Sequence, residues 1–283
     1  MSRLALLLSL LLLLIPRRTF AEGPPLRAAT PEAYRALLLE RMNVQRFAKG
    51  KVTVQPSPGL DSVAQAHAED MLRRGYFAHE SPDGERARDR VARIQPQMIV
   101  FDVRENLARA IASQPSPFEE SVEDAITGWV KSPPHAKNLF HSGTTHVGFG
   151  VAETTRNGIW EQCVVMLSGV HAGDWEGAPP SLASEEAGEW AAHTQIPIEF
   201  SIRAIDQPER AFPDPVRKGV SWIGACPLVT TAHRGKMRVL YPALGPGRYE
   251  LAARRMGDRE WWQLGLVPQR PPVGQRSAKD LPG

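Results

Sequence analysis

The apolar pattern of this 283-residue chain changes period once, near residue 145, and does not change back. Before that point apolar residues recur at helical spacing in three segments; after it they alternate. The first helix opens at Thr30-Pro31-Glu32, with Thr30 as N-cap and Pro31 in the first turn, and takes its apolar face from Tyr34, Leu37, Leu38, Val44 and Phe47. The second runs from about Leu60 to Arg74, with Leu60, Val63, Ala64, His67, Met71 and Leu72 on one side and Gly75 as its stop. The third is signalled by "SPFEESVEDAITGWVKS": Ser116 and Glu119 read as a capping box, Phe118, Val122, Ala125, Ile126 and Trp129 as the buried stripe, and Pro133-Pro134 as the end. "HVGFGVAE" and "IWEQCVVMLS" then read as two strands joined at Asn157-Gly158. Helices outside an antiparallel sheet make an α+β layered domain over residues 30–175.

Residues 176–189, rich in Pro, Gly, Ser and Glu, read as a linker. From 190 to 270 the pattern is all strand. In "PIEFSIRAI", Ile198, Phe200 and Ile202 face one way and Glu199, Ser201 and Arg203 the other; "KMRVLYPAL", "GRYELAARR" and "EWWQLGLVP" follow between Gly and Pro turns. A small β-sandwich is expected there, and a loose tail over 271–283.

The first 21 residues carry Arg3, an apolar run from Leu4 to Ile15, a stop at Pro16 and a small residue at Ala21. That is the pattern of a secretory signal peptide, and its run of about a dozen residues is too short to cross a bilayer. The mature chain is therefore expected to be secreted or periplasmic, with no integral membrane span after cleavage. Hydrophobic residues make up 42% and charged residues 23%, which a folded chain needs. The formal charge of +3 is scattered, with no basic stripe, so nucleic acid is not an expected partner. The two cysteines, Cys163 and Cys226, fall in different domains and are expected as buried free thiols.

Three polar residues stand where the surroundings are apolar: His79 in "RGYFAHESPDG", Glu105 in "RENLA" and His135 in "WVKSPPHAKNLF". Two imidazoles and a carboxylate could bind a divalent ion or share protons. Read singly, each histidine is a surface or hydrogen-bonded residue and Glu105 a backbone cap; spacing alone does not bring them together. His67 reads as a satisfied core residue. In "GYFAHESPDG", Tyr76 and Phe77 are expected to anchor the chain to the core, and the Ser-Pro-Asp-Gly turn to aim His79.

"AQAHAEDMLRRGYFAHESPDG", "ENLA", "GWVKSPPHAKNLF" and "HVGFGVAE", in that order, together resemble the CAP superfamily: cysteine-rich secretory proteins, antigen 5 and pathogenesis-related protein 1, in its bacterial branch. "LLERMNVQR" resembles the family's opening helix through Asn43 and Arg46. The resemblance implies an α-β-α sandwich with a cleft lined by His79 and Glu105, with Ser132 and His135 at its rim. It implies a divalent metal such as zinc on His79 and His135. The family's glycine before Glu-Asn is Arg104 here, and Ser132 stands where the animal and plant branches carry a second cleft glutamate.

Two kinds of function follow. One is a non-catalytic binding module for a small apolar ligand, a divalent metal or a cell-envelope component, which the second, sandwich-like domain favours. The other is a metal-assisted or His/Glu-dependent hydrolase. The chain has no His-Glu-x-x-His helix and no Gly-x-Ser-x-Gly elbow, so whether it is an enzyme stays open at this point.

Overall fold

The computed structural model describes residues 30–177, 187–244 and 247–264. The expected signal peptide (1–21) and tail (271–283) lie outside the described residues, as does the middle of the expected linker. Among the described residues five helices, α1 (Pro31–Ala48), α2 (Pro58–Arg74), α3 (Ala87–Ile94), α4 (Phe118–Lys131) and α5 (Pro133–Leu139), precede most of the strands. The first strands are β1 (Gln55–Pro56), β2 (Met98–Ala112), β3 (His146–Arg156), β4 (Ile159–Glu176) and β5 (Gly188–Thr194). No helix among the described residues is long and apolar enough to cross a membrane.

β4 organises the molecule. It pairs antiparallel with β2 along one edge, and along the other with β3 and then, at its far end, with β5. Asn157 and Gly158 both adopt positive φ (52° and 74°) at the β3–β4 turn, as a tight two-residue hairpin requires. α2 and α3 cover one face of this sheet, with Leu60, Ala64, Met71 and Val91 against Leu107, Val165 and Leu167. α1, α4 and α5 cover the other, with Leu38, Met42, Ile126, Trp129 and Leu139 against Phe149, Val164 and Met166. The result is the expected α-β-α sandwich. Gly148 and Gly150 let α2 sit directly on β3: a Cβ at Gly150 would fall 2.2 Å from the Ala64 carbonyl carbon.

The helix ends follow their caps. Thr30 accepts a hydrogen bond from the Ala33 amide, and Gly75 closes α2 at φ 71°. Ser57 caps α2, so that helix begins at Pro58, ahead of the expected Leu60. Three expectations need correction. α1 buries Tyr34, Leu38, Met42 and Arg46, one residue per turn, which leaves Val44 53% and Phe47 79% exposed on its far side. Arg46 can occupy the buried stripe because it donates to the carbonyls of Val52, Leu139 and His141. No capping box forms at Ser116; α4 starts after Pro117 with no side-chain cap bond. Pro133-Pro134 ends α4 but also opens α5, since proline fits a first helical turn.

The C-terminal strands are β6 (Ile198–Ala204), β7 (Ala211–Pro213), β8 (Ser221–Ile223), β9 (Ala225–Pro227), β10 (Val229–His233), β11 (Lys236–Tyr241), β12 (Tyr249–Arg255) and β13 (Trp262–Gln263). β11 and β10 extend the main sheet beyond β5, while β13, β12, β6 and β9 form a second sheet. Between the sheets lies one apolar core, with Phe200, Ile202, Leu251 and Val239 joined by Ile99, Phe101 and Val170 from β2 and β4. This β region thus shares a sheet with the α-β-α part. Cys163 and Cys226 are buried free thiols, and burial pushes both up to about 11.

Candidate functional site

The loop after α2, strand β2 and helix α5 carry the three polar residues singled out above. Glu105 and Asn106 are neighbours on β2, so their side chains point to opposite faces of the sheet. Glu105 lies on the α2–α3 side and Asn106 on the α4–α5 side. Both are buried, and both are spoken for.

Glu105 Oε2 accepts from His79 Nδ1 at 2.7 Å, and Oε1 accepts from Arg90 Nη2 at 2.6 Å. The Arg90 and Glu105 side chains are only 3% and 5% exposed. Such a pair needs its remaining donors used as well. Arg90 also donates to the carbonyls of His79 (3.2 Å) and Glu85 (2.9 Å), so one guanidinium ties both ends of the His79 loop to the carboxylate. Within the loop, the Gly84 amide donates to the Ser81 carbonyl, and the Ser81 hydroxyl accepts from the Glu85 amide. Arg74 pairs with Asp83 and fastens that turn to α2.

His67 stands behind this arrangement as a satisfied core residue. Its Nε2 donates to the Ala78 carbonyl at 3.1 Å and lies 4.0 Å from Glu105 Oε1. The Tyr76 hydroxyl lies 3.4 Å from His67 Nδ1 and donates to Asp70. Tyr76 therefore anchors the loop as expected. Phe77 does not: it is 39% exposed, with the Arg109 guanidinium over its ring. Consecutive residues of an extended segment cannot both face inward, and Tyr76 takes the inner place.

On the other face, Asn106 Nδ2 donates to the His135 carbonyl (3.0 Å), and Asn138 Nδ2 to the Glu105 carbonyl (3.0 Å) and Asn106 Oδ1 (2.9 Å). The first turn of α5 is thereby pinned to the residues that hold His79. His135 is half-buried there, close enough for the His79 charge to act on it. Ser132 is the N-cap of α5 and makes no cap bond through its side chain.

The imidazoles differ in charge preference. The hydrogen bond from His79 to Glu105 raises His79 above the ordinary histidine value, against burial and Arg90. Burial lowers His67, with Arg90 adding to the effect. Burial and the His79 charge lower His135. His79 keeps 59% of its side chain open. With Nδ1 committed to Glu105, its Nε2 is the atom left to meet a ligand.

That arrangement bears on the zinc the resemblance implies. A ligating histidine usually donates its other ring N–H to a carboxylate, as His79 Nδ1 does to Glu105; the lowered His135 favours the neutral form that ligates, whereas the raised His79 must give up a proton first. His79 and His135 are thus two imidazole donors of the chemistry that zinc takes. Glu105 stands behind His79, both its oxygens engaged, and is not a third donor. Among the described residues no group of three or more His, Cys, Asp and Glu side chains stands ready to hold an ion, whereas closed zinc sites use four protein ligands.

Sequence reasoning misses Arg90. It sits in the charged run "ERARDR", which reads as a solvated face, and an eight-residue helix gives too little period to reveal a buried arginine. It also misses the two asparagines as ties, although Asn106 directly follows the glutamate.

The sequence model of the cysteine-rich secretory protein family (CAP) matches residues 39–167. The uncharacterized protein YkwD of Bacillus subtilis is 27% identical over 135 residues, 46% of this chain and 46% of its own length. The uncharacterized membrane protein YlbC of the same bacterium is 30% identical over 114 residues, 40% of this chain and 30% of its own. The chain spans less than half the length of these curated relatives. Among solved structures, an outer surface protein of Borrelia burgdorferi aligns with a TM-score of 0.42 at 19% identity, covering 50% of this chain and 96% of that one. Residues 39–167 form a CAP domain, the domain of the cysteine-rich secretory protein family.

Proposed function

We propose that this protein is an exported binding module, secreted or periplasmic, whose CAP cleft presents His79 and His135 to a ligand outside the cytoplasm. The observation that carries the reading is the fixed His79: Nδ1 on a buried carboxylate, the rest of the ring open. His79 and His135 would hold a divalent ion such as zinc, which would supply a Lewis-acidic point for an oxygen of a small apolar ligand or envelope component. The chain's own residues do the rest. Glu105 fixes the His79 tautomer, Arg90 holds the loop, and Asn106 and Asn138 set the start of α5.

Zinc calorimetry on the exported full chain tests this. Wild type should bind with a defined stoichiometry, and His79→Ala and His135→Ala should each bind at least about tenfold more weakly. Glu105→Gln should cost about 10–100-fold, as loss of an outer partner does. Equal zinc binding by wild type and His79→Ala refutes the reading. A hydrolase is the second reading, because a His79–Glu105 pair also orients a general base. Turnover of a fluorogenic peptide that is lost in Glu105→Gln would replace the binding module by that enzyme.

A further inference from the structure

A cavity of about 450 Å³ opens where the CAP domain meets the C-terminal β region. Its floor is apolar, built from the buried Phe101 and Val170. One wall comes from the segment His141–Gly143, the other from Arg255 and Trp262 on β12 and β13. Asp258, Arg259 and Glu260, between those two strands, form an exposed rim.

The backbone is distorted to bring a charge here. The register of β2 against β4 shifts between Phe101 and Arg104, and within that irregularity Asp102 adopts φ 52°. Aspartate tolerates the left-handed region better than most residues, and a bulge re-aims a side chain. The Asp102 carboxylate is thereby buried at the cavity, 5% exposed, with Arg104 Nη2 at 2.8 Å from Oδ1 and His141 Nδ1 at 3.3 Å from Oδ2. Burial pushes the Asp102 carboxyl up, against the pull of Arg104 and His141, and Glu260 adds to the push from the rim. Arg104, which replaces the family's usual glycine, reaches across the junction and lies over the Trp262 ring.

Two buried polar atoms beside the cavity lack a hydrogen-bond partner among the described residues. His141 Nδ1 is close to Asp102 but misaligned for a hydrogen bond, and it has no other partner among the described residues. Arg255 donates through Nη2 to the Gly143 carbonyl, yet its buried Nε–H is unpartnered. The void lies in the size range of small-molecule sites, about 300–1,000 Å³.

Charges of both signs face this space. Asp102, Asp258 and Glu260 would meet a cationic group; Arg255 and Arg259, with His141, would meet an anionic one; Phe101 and Trp262 would pack against the atoms between. A simple anion would be repelled by the three carboxylates, and a simple cation by the two guanidinium groups. We infer that this cavity binds a small zwitterion: a free amino acid or a short peptide carrying both its ammonium and its carboxylate. The site is separate from the His79–His135 cleft, and its failure would leave the reading of that cleft untouched.

The test is calorimetry on the full chain with four probes: alanine, alanyl-alanine, N-acetyl-alanyl-alanine and alanyl-alanine amide. One equivalent of alanine or alanyl-alanine should bind saturably at concentrations up to about 10 mM. Whichever of the two binds identifies the source as free amino acid or peptide. Each blocked dipeptide should bind at least about tenfold more weakly than its parent, or not detectably where alanine is the ligand. Glu260→Gln, a change on the exposed rim, should weaken the zwitterion about tenfold and leave the acetylated probe unaffected. Arg255→Gln should weaken both, with circular dichroism checking that the junction still folds. Absence of saturable binding by either zwitterion, equal binding of parent and blocked probes, or wild-type affinity in Glu260→Gln each overturns the assignment.

Discussion

Replacing Arg90 by methionine should unfold this protein far more easily than removing both Arg90 and Glu105 together. In Arg90→Met the Glu105 carboxylate, 5% exposed, loses its 2.6 Å partner and keeps only His79. A buried carboxylate stripped of its cation costs about 3–5 kcal/mol. The single change Glu105→Gln strands the guanidinium in the same way and should cost a similar amount. In the double variant neither charge is present. What remains lost is chiefly the two donations from Arg90 to the carbonyls of His79 and Glu85, about 1 kcal/mol each. The double variant should therefore sit about 2 kcal/mol below wild type, well short of the sum of the singles. Urea denaturation followed by circular dichroism at pH 7 measures all four proteins. If the double variant equals the sum of the singles to within about 0.5 kcal/mol, the two residues are not partners and the cleft is not built this way.

Three further outcomes are expected. Gly150→Ala should destabilise by about 1–3 kcal/mol or more in the same assay, because its Cβ would collide with the Ala64 backbone and α2 cannot shift freely. Arg46→Met should cost at least about 2 kcal/mol, since three carbonyls lose their donor; a neutral result would mean that those carbonyls find other partners. His67 is lowered from its ordinary value of 6.5 in the folded state, so the unfolded chain takes up a proton first as the pH falls. Its contribution is then full above about pH 6.5 and lost below it, so His67→Gln should flatten the decline in stability between roughly pH 6.5 and 5; an unchanged decline would show that His67 does not drive it.

Much of the layered fold is legible in the sequence because long elements repeat their period many times. The buried face of α2 from Leu60 to Leu72 and the stripe of α4 from Val122 to Trp129 are both readable. So is the Asn157-Gly158 hairpin, which turn chemistry alone specifies. α1 misleads because Arg46 takes a place that hydropathy assigns to an apolar residue; its three carbonyl partners lie outside that helix, on Val52, at the end of α5 and on His141. The strand character of β2 is hidden because "FDVRENLARA" mixes cleft, bulge and core positions. His79, Glu105 and His135 can be chosen from the order of the motifs, but not their connection. Arg90 and the Asn106–Asn138 tie depend on side chains meeting across layers, and no local pattern encodes that. The sharing of one sheet between the CAP domain and the β region is likewise invisible, since β4 reads the same whether its far end pairs or not.

The account stands on His79 being held by Glu105, and imidazole titration by nuclear magnetic resonance reads that contact directly. In wild type His79 should titrate above the ordinary value of 6.5, with the Nδ1-protonated tautomer dominant in its neutral form, and in Glu105→Gln it should fall back toward 6.5. A His79 that titrates as a free imidazole in both proteins would contradict the arrangement on which the proposed cleft function rests.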